Sequence, residues 1–228
     1  MKDSTRQVIE DFDRIALLTE QHGVAGDAYH SYLISHLPPR CQRALEVGCG
    51  AGIFTRRLAE RAESVVGIDL SPQMIRLARE QSTEHPNIEY TLADVLLCAL
   101  PAERYDCLAS IATLHHLPPE QVLPKMKEAL KPGGLLIIHD LIAADGIIER
   151  AASALAYPVS VARRLWKTGR LRAPKELRDA WREHGRRDVY PTLSEVREMC
   201  SQYLTGARIH RHLLWRYTVV WRKPWPKG

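Results

Sequence analysis

The sequence predicts an α/β protein in which helices cover both faces of a mostly parallel sheet. Short apolar runs alternate with amphipathic helical segments from residue 43 to residue 140, which is the pattern of strands joined by crossover helices. The apolar run that ends at Val47 leads directly into glycines at positions 48, 50 and 52. Two later apolar runs end at acidic residues, Asp69 and Asp94. Ligands of open α/β sheets bind at such strand ends, so we expect a ligand site there.

The first element is an N-terminal helical segment of about residues 4–36, which ends before Pro38 and Pro39. Its apolar residues recur at helical spacing, at Ile9, Phe12, Ile15 and Ala16. The first strand then runs into the pattern Glu-x-Gly-x-Gly-x-Gly, which begins at Glu46. Glycine has no Cβ, so this loop can bring its backbone close to a ligand. The dinucleotide-binding fingerprint would need a glycine where Ile53 stands, so a different ligand is indicated.

The next two strands end in carboxylates that suit a nucleoside. Residues 65–69 form a buried strand ending at Asp69, 17 positions after Gly52, and Ser71 with Pro72 then begins a helix. The two carboxylate oxygens of Asp69 can accept hydrogen bonds from both hydroxyls of a ribose. A third strand, residues 88–92, leads to Asp94, which can accept a hydrogen bond from the exocyclic amine of adenine.

The remaining core follows the same order. A fourth strand begins at Tyr105 and leads to His115 and His116, a helix spans about residues 119–130, and a fifth strand of residues 135–138 leads to His139 and Asp140. Together these motifs resemble the class I S-adenosylmethionine (SAM)-dependent methyltransferases over residues 40–141, and most resemble the ubiquinone, menaquinone and natural-product methyltransferases. The resemblance implies SAM as cofactor and a Rossmann-like, doubly wound sheet of strand order 3-2-1-4-5-7-6, whose last strand is antiparallel.

The resemblance also assigns the cofactor contacts. Glu46 and the glycine loop are expected at the methionine part, Asp69 at the ribose, and Met74 and Ile111 on the two faces of the adenine. Asp94 and Val95 are expected at the polar edge of the base. The complete set of expected cofactor-binding residues is Glu46, Gly48, Cys49, Gly50, Gly52, Asp69, Leu70, Met74, Asp94, Val95 and Ile111.

Four side chains are candidates for the chemistry, because strands four and five are neighbours in this fold: His115, His116, His139 and Asp140. A histidine with an ordinary pKa near 6.5 is a suitable base for a phenol, enol or thiol, and we favour His116. The alternative is that one histidine packs and the other caps the loop. Two histidines and a carboxylate are also a plausible metal ligand set. We nevertheless predict no metal, because magnesium-dependent enzymes of this fold use carboxylate-rich sites.

The rhythm changes after Leu141. Residues 142–190 are expected to form a helical insertion, and its part 161–187 contains ten Lys or Arg and three acidic residues, a net charge of +7 that leaves −2 for the rest. This segment is either a solvated helix face or a surface for an acidic substrate, an anionic membrane or nucleic acid. Thr192 and Glu195 predict a capping box at the start of a final helix. Two antiparallel strands, 207–213 and 215–221, complete the chain.

We therefore expect one methyltransferase domain over residues 1–228. Its parts are an N-terminal helical lid (1–39), a SAM-binding core (40–141), the basic insertion (142–190) and the C-terminal helix with its strand pair (191–228). The lid and insertion would cover the acceptor, with tentative lining residues Tyr29, His30, Tyr32, Tyr157 and Trp166.

Composition limits the other possibilities. The five cysteines contain no C-x-x-C pair, no apolar run approaches 20 residues, and the charged first twenty residues do not resemble a secretory signal. These features predict a cytoplasmic protein. The segment after strand four lacks the Asn/Asp-Pro-Pro-aromatic and Pro-Cys motifs that resemble nucleic-acid methyltransferases. The expected function is methyl transfer from SAM to O, N, S or C of a small molecule, for example a secondary metabolite or a quinone-like compound. The alternatives are a SAM-binding, non-catalytic partner subunit and a lipid or RNA methyltransferase that uses the basic insertion. Peripheral membrane contact and the oligomeric state remain open.

Overall fold

The computed structural model describes residues 3–22, 29–143 and 172–226, and between the last two ranges only Pro158, Val161, Ala162 and Leu165. A seven-stranded sheet forms the centre of the described chain. Its strands are β1 (Cys41–Val47), β2 (Ala62–Asp69), β3 (Ile88–Leu92), β4 (Tyr105–Ile111), β5 (Leu130–Leu141), β6 (Arg208–His212) and β7 (Arg216–Arg222).

The order of the strands in this sheet is β3-β2-β1-β4-β5-β7-β6. Strands β1 to β5 are parallel, whereas β7 pairs antiparallel with both β5 and β6. The predicted Rossmann-like order and the antiparallel last strand are therefore confirmed. The chain reverses direction between β1 and β4, and this switch point is where open α/β sheets bind their ligands.

The helices of the described residues are α1 (Asp3–His22), α2 (His30–Ile34), α3 (Ile53–Ala59), α4 (Pro72–Glu80), α5 (Pro119–Ala129), α6 (Lys175–Gly185) and α7 (Leu193–Tyr203). A short 3₁₀ helix, Leu114–His116, precedes α5. The predicted N-terminal helical segment is thus two helices, α1 and α2. Most of the apolar helix expected in the insertion lies outside the described residues, and its basic part corresponds to α6. In this part of the chain, no described helix combines the length and the apolar character needed to cross a bilayer.

Local capping explains where two of these helices begin. The hydroxyl of Ser71 accepts a hydrogen bond from the backbone N–H of Met74 at 3.0 Å, and Pro72 occupies the first turn of α4. At α7, Thr192 and Glu195 form the predicted capping box.

The fifth strand is longer than the sequence predicts. We expected residues 135–138, but β5 begins at Leu130, where α5 ends. Leu130 pairs with Tyr105, the register then shifts, and continuous pairing resumes at Leu135 opposite Cys107. The Lys-Pro-Gly-Gly sequence therefore forms an irregularity within the strand.

Two apolar clusters cover the two faces of the sheet. Leu136 packs on the side of α5 and α7, together with Met126 and Val196. Its neighbour Ile137 packs on the opposite side, together with Phe54 of α3. Adjacent strand residues point to opposite faces, so both faces of β5 are buried, as expected for a parallel sheet.

A third cluster places α6 against α1. Ile15 and Ala16 of α1 pack with Leu177 and Ala180 of α6, and Met74 of α4 belongs to the same cluster. Part of the predicted insertion therefore lies over the N-terminal helix, beside the carboxyl end of the sheet.

Candidate active site

A cavity of about 400 Å³ lies at the carboxyl ends of β1, β2 and β4, a volume within the usual range for small-molecule sites. Ten of the eleven expected cofactor-binding residues line it: Glu46, Gly48, Cys49, Gly50, Asp69, Leu70, Met74, Asp94, Val95 and Ile111. The eleventh, Gly52, instead occupies the N-cap position of α3.

The glycine loop has a backbone conformation that glycine adopts more easily than other residues. The φ angles of Gly48, Gly50 and Gly52 are +73°, +50° and +74°. A Cβ atom on Gly48 would lie 2.1 Å from Oγ1 of Thr113, and one on Gly52 would lie 2.2 Å from the hydroxyl of Tyr90. These two glycines are therefore needed for close packing, whereas a Cβ on Gly50 would meet no atom within 4 Å among the described residues.

Asp69 connects the glycine loop to the second strand. Its Oδ2 accepts a hydrogen bond from the backbone N–H of Gly50 at 2.8 Å, and its Oδ1 accepts one from Ser71 at 2.9 Å. Burial raises the pKa of this carboxyl, although both backbone hydrogen bonds favour its ionised form. Each oxygen keeps a second lone pair, so the group can also accept hydrogen bonds from a ribose.

Glu46 lies at the buried end of the cavity, with 1% of its surface exposed. The hydroxyl of Thr55 donates a hydrogen bond to its Oε2. Burial raises the pKa of Glu46 to about 8. A cationic ligand group beside it would stabilise the ionised form, which fits the ammonium group of SAM.

The adenine end is less polar. Met74 is buried on α4 and Ile111 ends β4, and both line the cavity. Asp94 closes a turn by accepting a hydrogen bond from the backbone N–H of Leu96 at 2.8 Å. The side chains at this end suit the flat, apolar faces and polar edge of a purine.

The opposite end of the cavity is lined by aromatic rings from three helical elements: Phe12 of α1, His116 of the 3₁₀ helix and Trp181 of α6. His30 of α2 also lines the cavity. The ring centroids of Phe12 lie 5.7 Å from His116 and 6.3 Å from Trp181, both in edge-on geometry. Phe12 and Trp181 were not among our site predictions. Phe12 fitted the apolar face of a helix, and Trp181 lies in a segment whose charge dominates its pattern.

The other tentative acceptor residues lie elsewhere. Tyr29 packs against His139 and His212, and its hydroxyl donates to the carbonyl oxygen of Leu213 at 3.2 Å. Tyr32 packs against His36 and His212. Tyr157 and Trp166 lie outside the described residues.

The structure brings three of the four predicted chemical side chains together. His115 contacts Asp140 twice: its backbone N–H donates to Oδ2 at 2.9 Å, and its Nδ1 lies 2.7 Å from Oδ1. His116 lies beside His115, with a centroid distance of 3.9 Å. His139 points to the other face of β5, where its Nδ1 lies 2.9 Å from the hydroxyl of Thr218. This separation follows from the alternation of side chains along a strand.

Asp188, which the sequence analysis did not select, lies among three imidazoles. Its carboxylate oxygens are 3.9 Å from Nε2 of His115, 3.7 Å from Nδ1 of His116 and 3.6 Å from Nε2 of His184. The hydroxyl of Tyr190 donates to its Oδ2 at 2.9 Å. Burial lowers the pKa of His116 to about 4, an effect that His115 strengthens and Asp188 opposes. The imidazole of His116 is therefore neutral at physiological pH.

Comparisons with known proteins agree with this site. Residues 45–138 match the family model described as a methyltransferase domain. An uncharacterized methyltransferase of Mycobacterium bovis is 29% identical over 203 residues, which cover 86% of this chain and 94% of that protein. The ubiquinone biosynthesis O-methyltransferase of Coxiella burnetii is also 29% identical, over 48% of each chain. In fold, the chain resembles the N-methyltransferase NodS of Bradyrhizobium japonicum in complex with S-adenosylhomocysteine, with a TM-score of 0.55, 18% identity and 86% of each chain covered.

The sheet order, the cavity at its switch point and these similarities identify the class. The protein is a class I SAM-dependent methyltransferase, and SAM is its cofactor.

Proposed function

We propose that this methyltransferase acts on a small, partly apolar acceptor that binds between Phe12, His30, His116 and Trp181. The observation that carries this proposal is the composition of the cavity wall. One cavity is lined at one end by the expected cofactor residues and at the other by aromatic rings. An acceptor at the aromatic end would lie next to a cofactor at the glycine end, as direct methyl transfer requires. The similarity to an enzyme named for ubiquinone biosynthesis supports a phenol-like or quinone-like acceptor.

The cofactor residues have distinct proposed roles. When bound, SAM supplies a methyl group that is already activated by its sulfonium. We assign the ammonium group to Glu46, the ribose to Asp69, the adenine faces to Met74 and Ile111, and its polar edge to Asp94. These assignments keep the methyl group directed toward the aromatic end of the cavity.

His116 is the proposed proton acceptor. It lines the cavity, and its buried Nε2 has no hydrogen-bond partner among the described residues. Its low pKa keeps the ring neutral and able to accept a proton from the acceptor. The Asp188 oxygen 3.7 Å from Nδ1 would then stabilise the imidazolium that forms.

The test is His116→Ala, measured as S-adenosylhomocysteine formation with a panel of phenols, catechols, amines and thiols. Loss of a general base is expected to reduce turnover by about 10²–10⁴-fold, while SAM affinity measured by calorimetry stays unchanged. His210→Ala, on the exposed side of β6, is the matched control. Unchanged turnover in His116→Ala would remove this residue from the mechanism. If no acceptor in the panel yields product although SAM binds, the small-molecule proposal fails and a non-catalytic role gains support.

A further inference from the structure

We propose that His115, His116 and Asp188 bind a divalent transition-metal ion, such as Zn²⁺, at the acceptor end of the cavity. Each residue offers one ligand atom, and these atoms all lie within 4.8 Å of one another. Two imidazoles and one carboxylate form a ligand set that suits zinc and other first-row transition metals. This proposal replaces our expectation that no metal is used, which was based on the carboxylate-rich magnesium sites of related folds.

The distances leave space for an ion. Nε2 of His115 and Nδ1 of His116 lie 3.9 and 3.7 Å from the nearest oxygens of Asp188. Both values exceed the usual 2.7–3.2 Å of a hydrogen bond. Ligands that each lie about 2.0–2.1 Å from a tetrahedral zinc are about 3.3 Å apart. Movements of a few tenths of an ångström would therefore bring these atoms into coordination distance.

Neighbouring groups hold the ligands as metal sites usually require. Asp140 contacts Nδ1 of His115 at 2.7 Å, which leaves Nε2 as the nitrogen that faces Asp188. A carboxylate on the far nitrogen of a histidine is the usual arrangement around protein-bound metals, because it fixes the ring and increases its basicity. Tyr190 similarly holds Asp188 by donating to Oδ2. The three ligand side chains are only 4%, 12% and 7% exposed, so the site is shielded from solvent.

His184 repeats this pattern on the other side of Asp188. Its Nδ1 lies 3.1 Å from Oδ2 of Asp11, and its Nε2 lies 3.6 Å from Oδ2 of Asp188. It is thus oriented as a fourth ligand that a small shift of α6 would bring in. Asp11, Asp140 and Asp188 also concentrate negative charge, and a divalent cation would offset the cost of burying them.

The ion would also change the chemistry at the acceptor end, a consequence that rests on the proposed function. His116 lines the cavity, so an ion held by its Nδ1 would lie near the acceptor. A bound metal lowers the pKa of an oxygen or sulfur ligand and would ease loss of the acceptor's proton. With Nδ1 on the ion, Nε2 keeps its hydrogen, so His116 acts as a base only in the metal-free protein.

The test is calorimetric titration of chelator-treated protein with ZnCl₂ and with CoCl₂, together with the visible spectrum of the cobalt form. We expect one ion per chain and a cobalt spectrum typical of four or five ligands. Asp188→Asn should weaken binding by at least about 100-fold, and Asp140→Asn by about 10–100-fold. Asp179→Asn, at an exposed pair on α6, should bind as the wild type does. Absence of a saturable heat and of the cobalt spectrum, or equal affinity in Asp188→Asn, would overturn the proposal.

Two further measurements keep this test decisive. SAM titration shows whether each variant is folded. If Asp188→Asn is not, NMR of the wild-type imidazoles decides: Zn²⁺ must shift the ring nitrogens of His115 and His116 but not those of His210, and any other pattern contradicts the site. Metal binding is measured without SAM or acceptor, so its failure is distinct from failure of the proposed function. Methyl transfer that survives complete metal removal would overturn the metal's role in the chemistry and leave the base role of His116.

Discussion

The buried carboxyl of Glu46 predicts an unusual dependence of stability on pH. Its pKa is about 8 in the folded protein, against 4.5 for the free group, because burial disfavours its charge. Between these pH values the folded state keeps a proton that the unfolded state releases. The free energy of unfolding therefore falls by about 1.4 kcal/mol per pH unit as the pH rises. The accumulated loss is about 3 kcal/mol at pH 7 and about 5 kcal/mol above pH 8.

Glu46→Gln should remove this loss. Glutamine has the same shape, stays neutral and can accept the hydrogen bond from Thr55 through its amide oxygen. We expect the variant and the wild type to differ by about 1 kcal/mol or less at pH 5, and the variant to be more stable by about 3 kcal/mol at pH 7. At the same time SAM affinity should fall, because the variant offers no negative charge to the ammonium group.

The assay is urea unfolding of cofactor-free protein at pH 5, 7 and 9, with Glu84→Gln on the exposed surface as control. Calorimetry of SAM binding to the wild type should also show proton release below pH 8, since binding favours the ionised carboxylate. A stability difference between Glu46→Gln and the wild type that does not grow with pH would refute the assigned pKa. Unchanged SAM affinity would refute the contact with the ammonium group.

Three other substitutions test the site. Gly48→Ala should abolish SAM binding and lower thermal stability, because the new Cβ would overlap Thr113 at a φ of +73°; adding Thr113→Ala should restore part of the stability, and an unaffected single variant would contradict the geometry. Asp69→Asn should weaken SAM binding by about 10–100-fold, as expected for loss of charged hydrogen bonds, and calorimetry with wild-type affinity would exclude the ribose contact. Trp181→Ala should raise the acceptor KM with little change in SAM affinity, whereas an equal loss of both would place Trp181 at the cofactor instead.

The cofactor end could be predicted from the sequence because its signals are local. Apolar runs, glycines at alternate positions and acids at strand ends identify strands and turns from adjacent residues. The strand order followed from the family resemblance and is confirmed by the sheet. The structure adds reasons that the sequence could not show, such as the packing of Thr113 against Gly48.

The acceptor end could be predicted only in part, because it depends on packing between distant segments. Asp188 reaches His116 only because α6 packs on α1. In the sequence, Asp188 and His184 adjoin a strongly basic segment that is typical of a solvated surface. The separation of His139 from Asp140, by contrast, was predictable, because neighbouring residues of a strand point to opposite faces.

The charges of α6 clarify what the basic segment contributes to the site. Arg182 pairs with Asp179 at 2.8 Å, and just beyond the helix Arg187 pairs with Asp11 of α1 at 3.0 Å. Exposed pairs of this kind contribute little stability, so burial of Leu177 and Ala180 against α1 accounts for most of the attachment. Because α1 and α6 supply Phe12 and Trp181 to the cavity, substitutions on these helices can change the acceptor while the glycine loop and Asp69 stay intact. This separation of the two ends explains how one cofactor site can serve different acceptors.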